Sequence, residues 1–157
     1  MREQMGSEEN VIVKVVNEST NPLPEYKTNG SAAMDVQAYV PDGDRIVRIK
    51  PGERKLIRTG LKVEIPEGYE IQVQPRSGLA LKEGITVLNS PGIIDPDYRG
   101  ELGIIVYNTS DKEYNVVHSE RIAQISLYPI YRVKWEPVTA LSDTQRGSGG
   151  FGSSGKF

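Results

Sequence analysis

The sequence predicts an all-β chain, an antiparallel β-sandwich or barrel with one short helix. Three observations carry that expectation. Short β-branched and aromatic runs recur along the chain, Gly/Pro/Asn/Asp turn signals separate them, and no helical period is long enough to compete. Regular short strands with such punctuation are the signature of sandwiches and barrels.

Taken in order, the strand-like runs are VIVKVV (Val11–Val16), RIVRI (Arg45–Ile49), LKVEI (Leu61–Ile65), YEIQVQ (Tyr69–Gln74), LGIIVY (Leu102–Tyr107), YNVV (Tyr114–Val117) and RIAQISLYPIY (Arg121–Tyr131). Several alternate apolar with polar or charged residues, as half-buried antiparallel strands do. PDGD, KPGE, IPEGY, NSPG and NTSDKEY supply the turns between them. Only SGLALKEG, Ser77 to Gly84, reads as helix, roughly two turns long. From about Leu141 the composition shifts to Ser, Gly and Thr, too poor in apolar residues to pack alone. The expected organisation is one β domain over 1–140 and a flexible glycine-rich arm over 141–157.

The totals narrow the function classes. A chain of 157 residues is long enough for one domain with its own core. Nineteen Lys+Arg against twenty-one Asp+Glu leave a net charge of −2, so no global basic field would gather nucleic acid or an anionic membrane. Any bound anion must be held by a few local groups. The absence of cysteine removes disulfides, thiolate nucleophiles and Cys-ligated zinc, and the single histidine, His118, argues against a His-rich metal site. The N-terminal MREQMGSEEN has no apolar signal core, and the longest apolar run is too short to span a bilayer, so the default expectation is a cytoplasmic protein.

Five stretches stand apart from ordinary strand and turn filler. In AAMDVQA, Asp35 sits among small and apolar residues, where a carboxylate needs a cation or donors unless it merely caps a turn. PRSGLA ends a strand and opens the short helix. Arg76, Ser77 and Gly78 beside free N–H groups suit a phosphate, or Ser77 is simply an N-cap beside a surface arginine. LNSPGIIDPDYRGEL reads as a hairpin turning at Asn89–Gly92, with Asp95, Asp97 and Tyr98 on its return limb. Either its backbone groups and the Asn89 amide face a base edge, or the acids form Asx turns. In ERIAQI, Gln124 is the neutral polar residue among apolar strand formers, and such a residue usually faces solvent.

The fifth stretch is RGSGGFGSSG. Its glycines let a backbone wrap a ligand, Arg146 can fork onto a phosphate, and Phe151 can stack on a base; the alternative is a plain linker end. Gly150–Lys156 approximates a P-loop, but Phe157 stands where the magnesium-holding Ser or Thr would follow the lysine.

In this order the five stretches resemble the five motifs of the trimeric dUTP pyrophosphatases (dUTPases), from about Ala32 to Gly155. Val36 stands where leucine or isoleucine is commoner, a conservative departure. The resemblance implies a jelly-roll-like β-sandwich, a homotrimer with shared active sites, and hydrolysis of dUTP to dUMP and pyrophosphate by water attack at the α-phosphorus. It implies Asp95 as general base, with Gln124 and Ser77 on phosphate oxygens and Arg76 adding positive charge. Mg²⁺ would be held mainly by phosphates and water, with Asp35 acting through those waters or on a catalytic arginine. Asn89, Gly92, Ile93 and Ile94 would read uracil, and Tyr98 would collide with a ribose 2′-hydroxyl. Phe151 and Gly152 would cover the base, and Arg146, Ser153 and Ser154 would grip the γ-phosphate. The implied role is nucleotide-pool sanitation and dUMP supply for dTMP synthesis, with no stable nucleic-acid or membrane partner. Two alternatives stand beside it. A dCTP deaminase of the same fold would be expected to lack the glycine-rich arm and the Asp95 motif in this form. A nucleotide-responsive regulatory jelly roll would fit better with an inserted domain between motifs.

Overall fold

The computed structural model of the chain describes residues 10–152. Two four-stranded antiparallel sheets enclose the core. One has the order β1 (Lys14–Asn17), β4 (Arg54–Glu64), β8 (Glu101–Asn108), β6 (Ile85–Val87). The other has the order β2 (Met34–Gln37), β10 (Arg121–Pro129), β5 (Tyr69–Gln74), β7 (Gly92–Ile94). A two-stranded ribbon, β3 (Ile46–Ile49) with β9 (Tyr114–Val117), and one helix, α1 (Ser77–Glu83), complete the regular structure among the described residues. The all-β expectation with a single short helix holds. Among the described residues no helix is long and apolar enough to cross a membrane.

Alternation builds the core. Along β8, Leu102, Ile104, Val106 and Asn108 point inward and are buried, while the residues between them are only partly covered. Ile57, Leu61 and Val63 of the neighbouring β4 flank them, and Ile71 and Val73 of β5 with Ile122, Ala123 and Ile125 of β10 meet them from the other sheet. Burial of such side chains stabilises by about 1.5–3 kcal/mol each. Asn108 is wholly buried, yet its amide donates to the Ile49 and Lys112 carbonyls at 2.9 and 2.7 Å. No buried side-chain polar atom among the described residues lacks a partner.

Several elements differ from the sequence expectation. β4 begins at Arg54, well before the expected Leu61: Arg54, Lys55 and Arg58 obscure the inner face that Ile57 and Thr59 carry. At Gly60 the pairing with β8 shifts, φ is +71°, and a Cβ there would lie 2.6 Å from the Ser19 Cβ, so only glycine fits. The expected hairpin at Asn89–Gly92 is not one. Its limbs pair in different sheets, β6 with β8 and β7 with β5, which lets Ile85, Val87 and Gly92 all reach the interior. The cap of α1 is Arg76, with no side-chain cap bond, rather than Ser77.

His118 ties the end of β9 to two distant segments. Its Nδ1 accepts the Val40 N–H at 3.0 Å, and its Nε2 lies 3.0 Å from Thr20 Oγ1. Because an amide can only donate, Nδ1 carries no proton and the ring is the neutral Nε2–H form, donating to Thr20. Burial, then the charge of Arg45, pushes its pKa below the ordinary value near 6.5. A depressed histidine stabilises the fold fully above the unfolded-state pKa and loses that contribution as pH falls below it. Melting temperature is therefore expected to fall more steeply from pH 7 to 5 in the native chain than in His118→Asn. Parallel pH profiles would exclude this assignment.

Candidate active site

The register of β10 assembles the first cluster. Gln124 is paired with Asp35 on one side and with Gln74 on the other, so the three lie in one row across β2, β10 and β5. The Asp35 side chain is only 11% exposed. Its Oδ1 accepts from Arg76 Nε at 3.1 Å and Gln124 Nε2 at 3.2 Å, and its Oδ2 from an Arg121 guanidinium nitrogen at 3.2 Å. Arg76 also donates to the Arg121 carbonyl at 3.0 Å. Asp35 is thus a strand residue clamped by two guanidiniums and an amide, not a turn cap.

Two cations against one carboxylate leave one positive charge on this face. Ser77 and Gly78, both exposed, open α1 directly after Arg76 and offer free N–H groups beside it. The face can receive an anion. Its donor set does not suit direct cation coordination, because the Asp35 oxygens already accept from cationic and amide donors.

Sequence reasoning missed Arg121, for a physical reason. Residues three apart on a regular strand face opposite sides, but β10 carries a bulge between Arg121 and Ala123 that restores Arg121 to the Gln124 side. The available signal was the consecutive pair Ile122–Ala123, both buried. The turn before Arg121 is fixed by Glu120, which accepts from the Tyr114 hydroxyl and, at 2.9 Å, from the Val117 N–H. Burial, reinforced by Glu120, raises the Tyr114 pKa and keeps it a neutral donor.

A second cluster forms past β7. Ile93, Ile94, Asp95 and Tyr98 line a cleft of ≈ 240 Å³ with Leu56, Glu101, Gly103 and Ile105, four residues the sequence did not single out. Asp95 also borders a larger cleft of ≈ 770 Å³, shared with Asp97, Arg99 and Arg132. Gly92 is buried under the Asn89 side chain: a Cβ at Gly92 would sit 3.2 Å from the Asn89 amide nitrogen. These two residues are therefore packed as one unit.

The two clusters lie far apart within the chain. Asp95 follows the Ile94–Ile71 pair, whereas Asp35 lies in the Gln74 row three strands across. Strand rise and spacing give about 13 Å along the strands and about 14 Å across them, so roughly 20 Å in all. The clefts that Asp95 borders do not reach Asp35, and the cleft beside Asp35 does not reach Asp95. The third group, Arg146, Phe151 and Gly152, lies on the segment after β10. Among the described residues the Arg146 side chain bonds only locally, to the Gly149 carbonyl at 2.8 Å, and the Phe151 side chain is fully exposed. Ser153 and Ser154 fall outside the described residues.

The comparisons agree with one another. A family model for dUTPase matches residues 19–155. The deoxyuridine 5′-triphosphate nucleotidohydrolase of Roseobacter denitrificans is 52% identical over 134 residues, covering 85% of this chain and 87% of that protein. The protein of the same name from Fusobacterium nucleatum subsp. nucleatum is 52% identical over 146 residues, covering 93% and 98%. Among solved structures, a variant of the Staphylococcus bacteriophage 80alpha dUTPase with dUpNHpp superposes with a TM-score of 0.79 at 28% identity, covering 92% of this chain and 98% of that one. A dUTPase from phage phi11 of S. aureus, described with a structural Mg(II) ion, is 23% identical with a TM-score of 0.72 and bears on the fold alone. By sequence and by fold, the chain belongs to the dUTPase family of enzymes.

Proposed function

We propose that the protein hydrolyses dUTP to dUMP and pyrophosphate at sites assembled from three copies of the chain. Family membership supports the reaction. The observation that carries the shared site is the roughly 20 Å between Asp95 and the Asp35 cluster, since one chain cannot bring both to one phosphate. Exposed apolar residues support assembly as well. β10 ends at Pro129, and beyond it Tyr131, Val133 and Trp135 are 89, 71 and 85% exposed at alternating positions. An extended segment with one apolar edge calls for a partner surface. The homotrimer supplies one, with 1–140 as the β body and 141–157 as the closing arm.

Each group has a task in that assembly. Asp95 orients the attacking water in line with the α-phosphorus and takes its proton. Gln124, Ser77 and Gly78 donate to phosphate oxygens, and Arg76, held by Asp35, adds charge. Mg²⁺, when bound among the phosphates, neutralises charge along the triphosphate; the Asp35 cluster fits that arrangement because it leaves the ion to phosphate and water oxygens. Backbone groups at Gly92, Ile93 and Ile94 with the Asn89 amide pair with the uracil edge, and cytosine would leave them unpaired. Tyr98 stands against the sugar. Arg146, Phe151, Gly152, Ser153 and Ser154 cover the bound nucleotide. In this role the enzyme would work in the cytoplasm, keeping dUTP low and supplying dUMP.

Arg121 enters as the second clamp on Asp35. Arg121→Met is expected to lower kcat/KM for dUTP by about 10- to 100-fold, the usual cost of losing an outer hydrogen-bonding partner. Stability should change by under about 1 kcal/mol, since the Arg121 side chain is half exposed and Asp35 keeps its pair with Arg76. Unchanged kcat/KM would leave Arg121 a surface residue.

The function itself is tested by incubating the protein with dUTP, dCTP, dTTP and UTP plus Mg²⁺, following pyrophosphate, and measuring mass by light scattering. Pyrophosphate from dUTP alone by a trimer is the expected result. Ammonia from dCTP would favour the deaminase reading, and full activity in a monomer would exclude the shared site.

A further inference from the structure

Gly100 sits inside the turn that carries Tyr98 and Glu101 to the Asp95 cleft. Tyr98 donates its hydroxyl to the Glu101 carbonyl at 3.0 Å, closing a loop across residue 100, and its N–H donates to the Asp95 carbonyl at 3.2 Å. The phenol ring therefore lies back over the Gly100 backbone. A Cβ at Gly100 would be 2.3 Å from the Tyr98 hydroxyl oxygen and 2.5 Å from Cζ, well inside the 3.5–4.0 Å of ordinary carbon contact. Gly100 is not among the glycines with left-handed φ. Its backbone would accept alanine, so the turn uses the empty space above Gly100, not its conformational freedom.

We infer that Gly100 is a positioning residue for sugar specificity: the vacant space above its Cα is where the Tyr98 ring is seated, and that seat sets how far the ring stands into the cleft. The inference rests on the proposed role of Tyr98 against the deoxyribose. The obstruction that alanine would create falls on the far end of a movable side chain rather than on backbone. Gly100→Ala should therefore fold, with the ring swung off its seat and the bond to Glu101 broken. Nothing else in the site is nearer than 3.0 Å to the added carbon. The first property to change should be discrimination at the 2′ position rather than chemistry at phosphorus.

The experiment measures kcat/KM for dUTP and for UTP in the native chain, Gly100→Ala, Tyr98→Ala and the double variant. A pocket rejects a single added hydroxyl by shape alone by up to about 10²-fold. Gly100→Ala should erase about tenfold of whatever ratio the native chain shows. In the Tyr98→Ala background the same change at Gly100 should leave the ratio where it was, because the ring it displaces is gone. Equal losses in both backgrounds would overturn the inference, as would an unchanged ratio in Gly100→Ala when Tyr98→Ala lowers it. An unchanged ratio in Tyr98→Ala would instead overturn the sugar reading of Tyr98, and this inference with it. If Gly100→Ala fails to fold, melting curves decide. A double variant that melts with Tyr98→Ala supports the steric seat, and one that is also unfolded overturns it.

Discussion

Asp95→Asn is expected to lower dUTP turnover by about 10²–10⁴-fold, the usual contribution of a positioned general base. Asparagine matches aspartate in shape and can still hydrogen-bond a water, but it cannot take the proton. Affinity for a non-hydrolysable dUTP analogue should therefore persist, as should the melting temperature, because Asp95 is exposed and makes no ion pair among the described residues. Single-turnover kinetics and calorimetric titration of the analogue separate the two effects. Native turnover in the variant would take Asp95 out of the mechanism.

Removal of residues 146–157 is the second large effect. It takes away Arg146 and Phe151, for which the proposed contacts are a charged hydrogen bond of about 1.5–3 kcal/mol and a base stack of about 1–3 kcal/mol. Together they convert to a loss of about 10²–10⁴-fold in kcat/KM. The fold should be untouched. Residues 131–148 are exposed throughout, and among the described residues the Arg146 side chain bonds only within its own turn. Circular dichroism, melting temperature and assembly mass should match the full chain, and a truncated protein with native kcat/KM would refute the closing arm.

What the sequence disclosed follows from the range of each interaction. β5 and β9 are legible to the residue because alternation in YEIQVQ, a β-branched run in YNVV and the turn residues that bound both are local properties. β2 was hidden because Met34–Gln37 carries an aspartate in mid-strand, and β6 and β7 because three residues give alternation too little length. Candidate site residues could be named from ordered motifs. Their placement could not: the bulge that turns Arg121 toward Asp35 and the His118 bond to Val40 are tertiary facts. The apparent hairpin at Asn89 misled for the same reason. A turn signal says that the chain reverses, not which sheet receives it.

That corner has a mechanical consequence. The loop proposed to recognise the base is fastened at one end to β8 through β6 and at the other to β5 through β7, so each end is tethered to a different wall of the molecule. Such a bracket cannot swing on a single pivot without prising the two walls apart. In the proposed enzyme, compliance for admitting and releasing nucleotide would then fall to the closing arm over 141–157, which follows β10 rather than bridging the two walls.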